Sequence, residues 1–409
     1  MNQEIFNQDF FINNRKKLRG LFMGTAPIVF AANLVLQQNS DNTYPFRQDS
    51  SFWYFTGINL PGLVLVVDRD DEYLIIPKRS AFSEVADGVV DYQALTQTSG
   101  IDNIYDETLG WKKLTNRLKK VGHSAILPNL SVSSEELDFY PNPARELLIN
   151  KIKLINPEIK LLDISEHVIQ MRVIKQEPEI SAITKAVKMT TNTIKIINKN
   201  LNKYNFEYEI EAVVLSEFRK RNSLPAYQPI IAGGVNACTL HYNQNKSPIK
   251  QKDLILIDIG ASVDNYAADI TRTLFLGDDL SKRQRQVLNS VVETQEFAAS
   301  LLRPGVELKN YESEVEIFMG EQLRSLGLIA SVTTENVRKY YPHSTSHFLG
   351  LDPHDCGNYS QPLESNMILT IEPGIYIPEE GIGVRIEDDF IVNTQGVYKI
   401  SHGLPPILN

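Results

Sequence analysis

Between Glu177 and Val392 the chain passes twice through one order of elements: helix, helix, strand, strand. The first pass starts at Pro178, a residue suited to a first helical turn, with Glu177 and Glu179 complementing the N-terminal dipole. Ile180, Ile183, Val187, Ile194, Ile197 and Leu201 then recur at three- and four-residue steps, which predicts a long helix with one apolar stripe. A second helix is expected over Glu207–Arg221, with Ile210, Val213, Val214 and Phe218 on one face, followed by strands over Leu254–Ile259 and Ala267–Leu276. In the second pass Ser281 is placed to cap a helix running towards Leu302, where Pro304-Gly305 stops it. Asn310 is placed to cap another that ends at Gly327, and strands follow over Met367–Ile377 and Gly383–Val392. The two passes share little residue identity, so the repeat is architectural. It predicts an α+β domain with pseudo-twofold symmetry, its sheets facing inward and its helices outside.

The residues ahead of this repeat read as a separate α/β domain. Pro27–Ala31, Phe52–Thr56, Leu63–Val67 and Tyr73–Ile76 are β-branched or aromatic runs bounded by Gly, Asp or Pro, and are expected as strands. Trp111–Val121 and Ala144–Ile155 carry helical patterns. A chain of 409 residues has room for two such domains, here divided as 1–165 and 166–409. The formal charge of −9 and pI near 5.4 argue against nucleic-acid binding through a basic surface. Only Cys238 and Cys356 are present, which gives no disulfide framework and fits a reducing compartment. The N-terminal stretch has no apolar run resembling a signal core, and runs such as Leu63–Val67 are too short to span a bilayer. The expectation is a cytoplasmic protein that binds neither membrane nor nucleic acid.

The predicted strands carry acids in matching places. Asp258 ends LILID, and Asp269 lies in AADITRT on the face shared with Thr271 and Thr273. A hairpin turning at Val263-Asp264 would set Asp258 opposite Asp269. Glu372, in MILTIEPGIYI, and Glu387, in GVRIEDDF, are likewise equidistant from the PEEG turn. Like charges opposed across a hairpin repel, and burial among apolar strands raises their pKa or calls for a cation. Arg272 and Arg385 cannot neutralise four acids. Three of the seven histidines, His343, His347 and His354, fall within YPHSTSHFLGLDPHDCG. The intervening Ser and Thr residues, with Gly350 and Pro353 after them, predict an irregular or strand-like segment aiming imidazoles at one point. Four acids with one imidazole suit two divalent cations, Mn²⁺ above all, with Co²⁺, Zn²⁺ or Fe²⁺ tolerated. Taken one at a time, each acid is better explained as a strand-end residue on a solvated edge, and each histidine as a satisfied core or surface residue; the paired placement and the cluster shift the weight.

IDIGASVDNYAADITRT, HSTSHFLGLDPHD, TIEPGIYI and VRIEDD, in this order, resemble the five-ligand metal centre of the pita-bread metallopeptidases, which include methionine aminopeptidases, prolidases and aminopeptidase P. The resemblance covers essentially the whole chain. It implies that Asp258, Asp269, His347, Glu372 and Glu387 are the ligands, with Asp269 and Glu387 bridging two ions. It implies Glu372 as general base, and His354 as the group that steadies the tetrahedral intermediate or shuttles a proton. His241, in LHYN, would contact the scissile region, and His343 and Arg385 would line the pocket for the residue after the cleaved bond. Arg385 is equally explained as a structural partner of a nearby acid. YPFRQDSSFWYFTGINLPG and SHFLGLDPHD resemble the bacterial aminopeptidase P branch, which implies hydrolysis of the bond between an N-terminal residue and a penultimate proline in peptides. The same resemblance implies a homo-oligomer, dimer or tetramer, with the N-terminal domain helping to close the site.

Three departures stand out: Ser344 where glycine is common, Pro353 where valine is usual, and Ser51 where Asp is frequent. None removes a ligand. A prolidase confined to Xaa-Pro dipeptides is the nearest alternative, and a non-catalytic binding protein on the same fold is the alternative of another class.

Overall fold

The computed structural model describes residues 5–129, 140–277 and 279–408. The chain forms two compact units, Met1–Met171 and Arg172–Asn409. No helix among the described residues is long and apolar enough to cross a membrane.

The first unit is built on a six-stranded mixed sheet in the spatial order Ile104–Asp106, Glu72–Ile76, Val64–Val67, Ile28–Ala31, His123–Ile126, Lys160–Asp163. The strand at Ile28–Ala31 runs antiparallel to Val64–Val67 and parallel to His123–Ile126. Helices Glu107–Val121 and Ala144–Ile155 bury Leu114, Leu118, Leu148 and Ile152 against Val29, Val66 and Ile75 of the sheet. Phe52–Thr56, expected as a strand, is instead part of a helix, Ser50–Thr56. The Asp49 carboxylate caps it by accepting the Phe52 amide at 2.8 Å, and Gly57 closes it at φ 71°. All seven residues of that helix are buried. An aromatic run buried all round shows neither strand nor helix period, so the caps decided its conformation. Helices Gln8–Leu21, Ala81–Asp87, Tyr92–Ser99 and Ser165–Val173 also lie outside the sequence-based expectation.

The second unit follows the predicted double pass. Helix Glu177–Lys199 buries Ile183, Val187, Ile194 and Ile197, and packs on the strands around Ala261–Val263 and Ile270–Phe275. Helix Glu207–Arg219 buries Ile210, Val214 and Phe218. Ser281 caps helix Lys282–Leu301, accepting the Gln284 amide at 3.2 Å. Helix Leu308–Ser325 starts earlier than predicted. Glu307 is its N-cap and Asn310 lies inside the first turn, donating to the Glu307 carboxylate at 3.1 Å. The second pair of helices packs Val287, Val291, Met319 and Leu323 against Ile375, Ile377 and Val384.

Both predicted acid-bearing hairpins form, and their strands are interrupted at three of the four acids, while Asp258 stays within the continuous strand Leu254–Ile259. Ala267–Leu276 is broken into Tyr266–Ala267 and Ile270–Phe275, with Asp269 in the gap. Met367–Ile377 is broken into Ile368–Ile371 and Gly374–Ile377 around Glu372. Its partner breaks into Ile382–Arg385 and Asp388–Val392 around Glu387. In this second hairpin Ile371 pairs with Asp388 and Gly374 with Arg385, so Glu372 and Glu387 do face each other.

The first hairpin differs from expectation. It turns at Asp264-Asn265, at φ 47° and 67°, rather than at Val263-Asp264. Moving the turn by one residue moves the pairing by two, so Asp258 pairs with Thr271 and Asp269 becomes a diagonal neighbour on the same face. Gly260 permits the interruption. A Cβ there would lie 1.8 Å from the Ala268 carbonyl oxygen.

Candidate metal centre

Strand alternation and the three gaps turn the four carboxylates towards one another. Asp258, Asp269 and Glu387 are buried, and Glu372 is nearly so. One donor atom each from Asp269, His347 and Glu387 lies within 4.8 Å of the others. His347 Nε2 is 3.3 Å from Glu372 Oε1, 3.8 Å from Asp269 Oδ2 and 3.9 Å from Glu387 Oε1. Asp258 joins the group through Tyr227, whose hydroxyl sits 2.6 Å from both Asp258 Oδ1 and Asp269 Oδ1. Arg385 Nη2 is 2.5 Å from the other Asp258 oxygen.

The electrostatics reflect acids crowded out of water. Burial, then the neighbouring Glu387, pushes Asp269 well above the ordinary carboxylate range. Burial and Glu387 do the same to Glu372. Burial, then Asp258, lifts Glu387 to about 8. His347 moves the opposite way: burial, then the adjacent His354 ring, lowers it to about 3. Its Nδ1 faces the Phe348 carbonyl at 3.1 Å. A carbonyl only accepts, so Nδ1 carries the proton and the Nε2 lone pair faces the acids. Neutral imidazole beside anionic oxygen is the donor set of a divalent cation, and these residues fit one. Arg272 does not supply the missing positive charge. It is turned away to Asp388, at 2.6 Å, and to the Glu387, Leu404 and Pro405 carbonyls.

The other predicted site residues surround this group. His354 stacks on His347 with ring centroids 4.1 Å apart. It keeps an exposed edge, yet the protein packed round it, and then His241, lower its pKa. His343 Nε2 lies 2.8 Å from the Tyr376 hydroxyl, and its Nδ1 lies 3.7 Å from Glu372 Oε2. Burial, then Arg385, lowers His343 to about 3. Arg385 is an ion-pair partner of Asp258, as the sequence allowed, and it also donates to the Tyr376 hydroxyl at 2.9 Å. His241 is exposed in the turn after Gly234–Cys238, near enough for its charge to act on both His343 and His354. The three-histidine segment is irregular, as predicted, with an isolated bridge from Phe348 to Leu369.

Sequence reasoning missed several residues that hold the site. Tyr227 lies 31 positions from Asp258, and nothing local marks it. Glu312 accepts the Thr345 and Ser346 amides at 2.9 and 3.1 Å, bracing the backbone just before His347. Asp389 stands inside the quoted VRIEDD motif and accepts the Asp269 amide at 3.1 Å. Asp355, beside His354, is held by Arg172 and by Lys175 at 2.9 Å. Burial would raise its pKa, but the two cations outweigh it and hold the carboxyl low.

Comparison with known proteins agrees with this geometry. Residues 181–394 match the model of metallopeptidase family M24, and residues 11–126 match the aminopeptidase P N-terminal domain. The Xaa-Pro aminopeptidase of Escherichia coli K12 is 31% identical over 96% of this chain and 94% of its own. The human Xaa-Pro aminopeptidase 3 is 30% identical over 97% of this chain and 82% of its own. The structure of E. coli aminopeptidase P with the inhibitor Pro-Leu superposes with a TM-score of 0.87, at 28% identity, over 98% of this chain and 96% of that one. A donor set suited to a divalent cation, within a family match that spans more than half of the residues, makes this chain a member of metallopeptidase family M24.

Proposed function

We propose that this chain is a divalent-metal-dependent Xaa-Pro aminopeptidase, releasing the N-terminal residue from peptides whose second residue is proline. The observation that carries the reading is the convergence of Asp269, His347 and Glu387, with Asp258 and Glu372 beside them, in a chain similar over nearly its full length to Xaa-Pro aminopeptidases. Asp258, Asp269, His347, Glu372 and Glu387 would hold two divalent ions, a donor set best suited to Mn²⁺ and tolerant of Co²⁺, Zn²⁺ or Fe²⁺. Bound there, the ions would polarise the scissile carbonyl and acidify the attacking water.

The chain's own groups supply the rest. Glu372, whose Oε1 lies 3.3 Å from His347 Nε2, takes the water proton and passes it to the leaving proline nitrogen. His354, on the exposed side of His347, donates to the developing oxyanion. Asp258, fixed by Tyr227 and Arg385, receives the substrate's free amino group. Proline has a fixed φ and leaves no N–H to satisfy, so its pocket selects by shape. His343, Tyr376 and Arg385 form one wall of it, and His241 flanks the scissile bond. Because His343 is held neutral, it presents a flat, uncharged face to the ring. We further propose a cytoplasmic homo-oligomer, dimer or tetramer.

The test is hydrolysis by Mn²⁺-loaded protein of an Xaa-Pro-Xaa tripeptide, with an Xaa-Pro dipeptide and an Xaa-Ala-Xaa tripeptide alongside. Cleavage of the proline tripeptide, with the alanine peptide spared, is the expected result. Cleavage of the dipeptide alone would make the chain a prolidase, and no cleavage with metal bound would reject a peptidase reading.

A further inference from the structure

Glu207 is the first residue of helix Glu207–Arg219 and is fully buried. A buried carboxylate is costly unless each oxygen is satisfied. Glu207 accepts four hydrogen bonds, two on each oxygen. Oε1 takes the Gly233 amide and Asn236 Nδ2, both at 2.9 Å. Oε2 takes the Tyr242 hydroxyl and the Ser247 amide, both at 2.8 Å. None of these serves its own helix. The cap is made by Glu209, which accepts the Asn205 and Phe206 amides at 2.6 and 3.3 Å.

All four donors belong to the segment 233–247, and they bracket His241. Asn236 lies in the Gly234–Cys238 turn ahead of it, and Tyr242 follows it directly. His241 itself makes no hydrogen bond among the described residues, so its position comes from its segment. That segment lies against the strand of Arg385. At Gly383 a Cβ would come within 2.4 Å of the Ala237 carbonyl oxygen, and the Cys238 thiol lies 3.4 Å from the Ile382 carbonyl.

We propose that Glu207 is a positioning residue: its carboxylate clamps both flanks of the His241 turn and holds that imidazole over the reaction site. The proposal rests on the functional reading above, in which His241 flanks the scissile bond. A helix-stabilising role would not concentrate all four acceptor contacts on this one segment, away from the cap.

Glu207→Gln tests it. An amide NH₂ replaces one oxygen and confronts a pair of donors, so half of the clamp opens. The expected result at a temperature where the variant stays folded is unchanged metal content and a fall of about tenfold in kcat/KM for the proline tripeptide, the kinetic equivalent of one lost buried hydrogen-bonded pair. In a His241→Ala background the same substitution should cost less than about twofold, because the group being positioned is already gone. Losses that multiply in the double variant, or loss of metal, would overturn the proposal. A second readout needs no activity. In protein labelled with ¹³C-histidine, the His241 Cε1 resonance should shift or broaden in Glu207→Gln while that of His402 stays; an unmoved His241 signal overturns the proposal. If the wild-type protein leaves the tripeptide intact, the functional reading fails, and the resonance still decides whether Glu207 places His241. Tyr242→Phe, which removes one donor, gives the same comparison should Glu207→Gln not fold.

Discussion

Thr271 and Glu387 are joined twice. The Glu387 amide donates to the Thr271 carbonyl at 3.1 Å, and the Thr271 hydroxyl donates to Glu387 Oε2 at 2.7 Å. One residue belongs to each pass of the repeated helix–helix–strand–strand pattern, so this pair stitches the two hairpins together where their acids converge. The same hydroxyl accepts from Arg385 Nε at 3.2 Å, which links the stitch to Asp258.

Thr271→Val keeps the shape and removes the hydroxyl. Glu387 loses a donor in a fully buried place, and Arg385 loses an acceptor. We expect metal affinity to fall by about 10–100-fold, as when outer partners of ligands are removed. Folding stability should fall by about 1–3 kcal/mol, since both partners are left unpaired. Calorimetric titration with Mn²⁺ and urea denaturation measure the two effects; a variant with unaltered affinity would show that the stitch is irrelevant to the centre.

Metal-free protein should lose stability as pH rises. Glu387 titrates at about 8 in the fold against an ordinary 4.5, and Asp269 and Glu372 are raised as well. An acid whose folded pKa is raised binds its proton more tightly in the native state. Its contribution is fully present below the unfolded value and is lost as pH climbs through about 8. Thermal melts of chelated protein should therefore fall between pH 6 and 8.5, and saturating Mn²⁺ should abolish the trend. Metal binding at neutral pH should release protons, measurable as a dependence of binding enthalpy on buffer. A chelated protein that grows more stable across that interval would contradict the electrostatics described here.

Gly260→Ala drives a Cβ into the Ala268 carbonyl. Backbone meets backbone, so neither side yields cheaply, and the cost should be about 3 kcal/mol. Because the clash lies between Asp258 and Asp269, metal affinity should fall even under conditions where the variant is folded. Far-ultraviolet melting curves with parallel metal analysis check both effects.

Asp355→Asn leaves Arg172 and Lys175 buried beside a neutral amide. Breaking a buried ion network in this way costs about 3–5 kcal/mol. The wild-type carboxyl is held below its ordinary value by these two cations, against the effect of burial, so its contribution is present above the unfolded pKa and disappears as pH falls through the folded one. The variant should accordingly lose the acid-side slope of the stability profile; a parallel profile would mean that Asp355 does not carry it.

Much of this centre could be read from local pattern. Glu372 and Glu387 face each other because the PEEG turn sets the register, and that turn sits within a few residues of both. The Asp258–Asp269 pairing was misplaced by two residues because Asp264-Asn265, both tolerant of positive φ, takes the turn. Gly260 was the visible sign of a break in that strand. Tyr227, Glu312 and Glu207 were out of reach for a different reason. Each acts across tens of residues, at a distance that no helical or strand period encodes. The Ser50–Thr56 helix shows the same limit locally: complete burial erases the polar face that would have revealed its period, leaving only Asp49 and Gly57 as signals.

The most direct test of the account is diffraction from Mn²⁺-soaked crystals at the manganese absorption edge. Two anomalous peaks per chain are expected, about 3.5–4 Å apart, enclosed by Asp258, Asp269, His347, Glu372 and Glu387. Peaks elsewhere, or none in protein that binds Mn²⁺ in solution, would contradict the claim that the two hairpins build one metal centre.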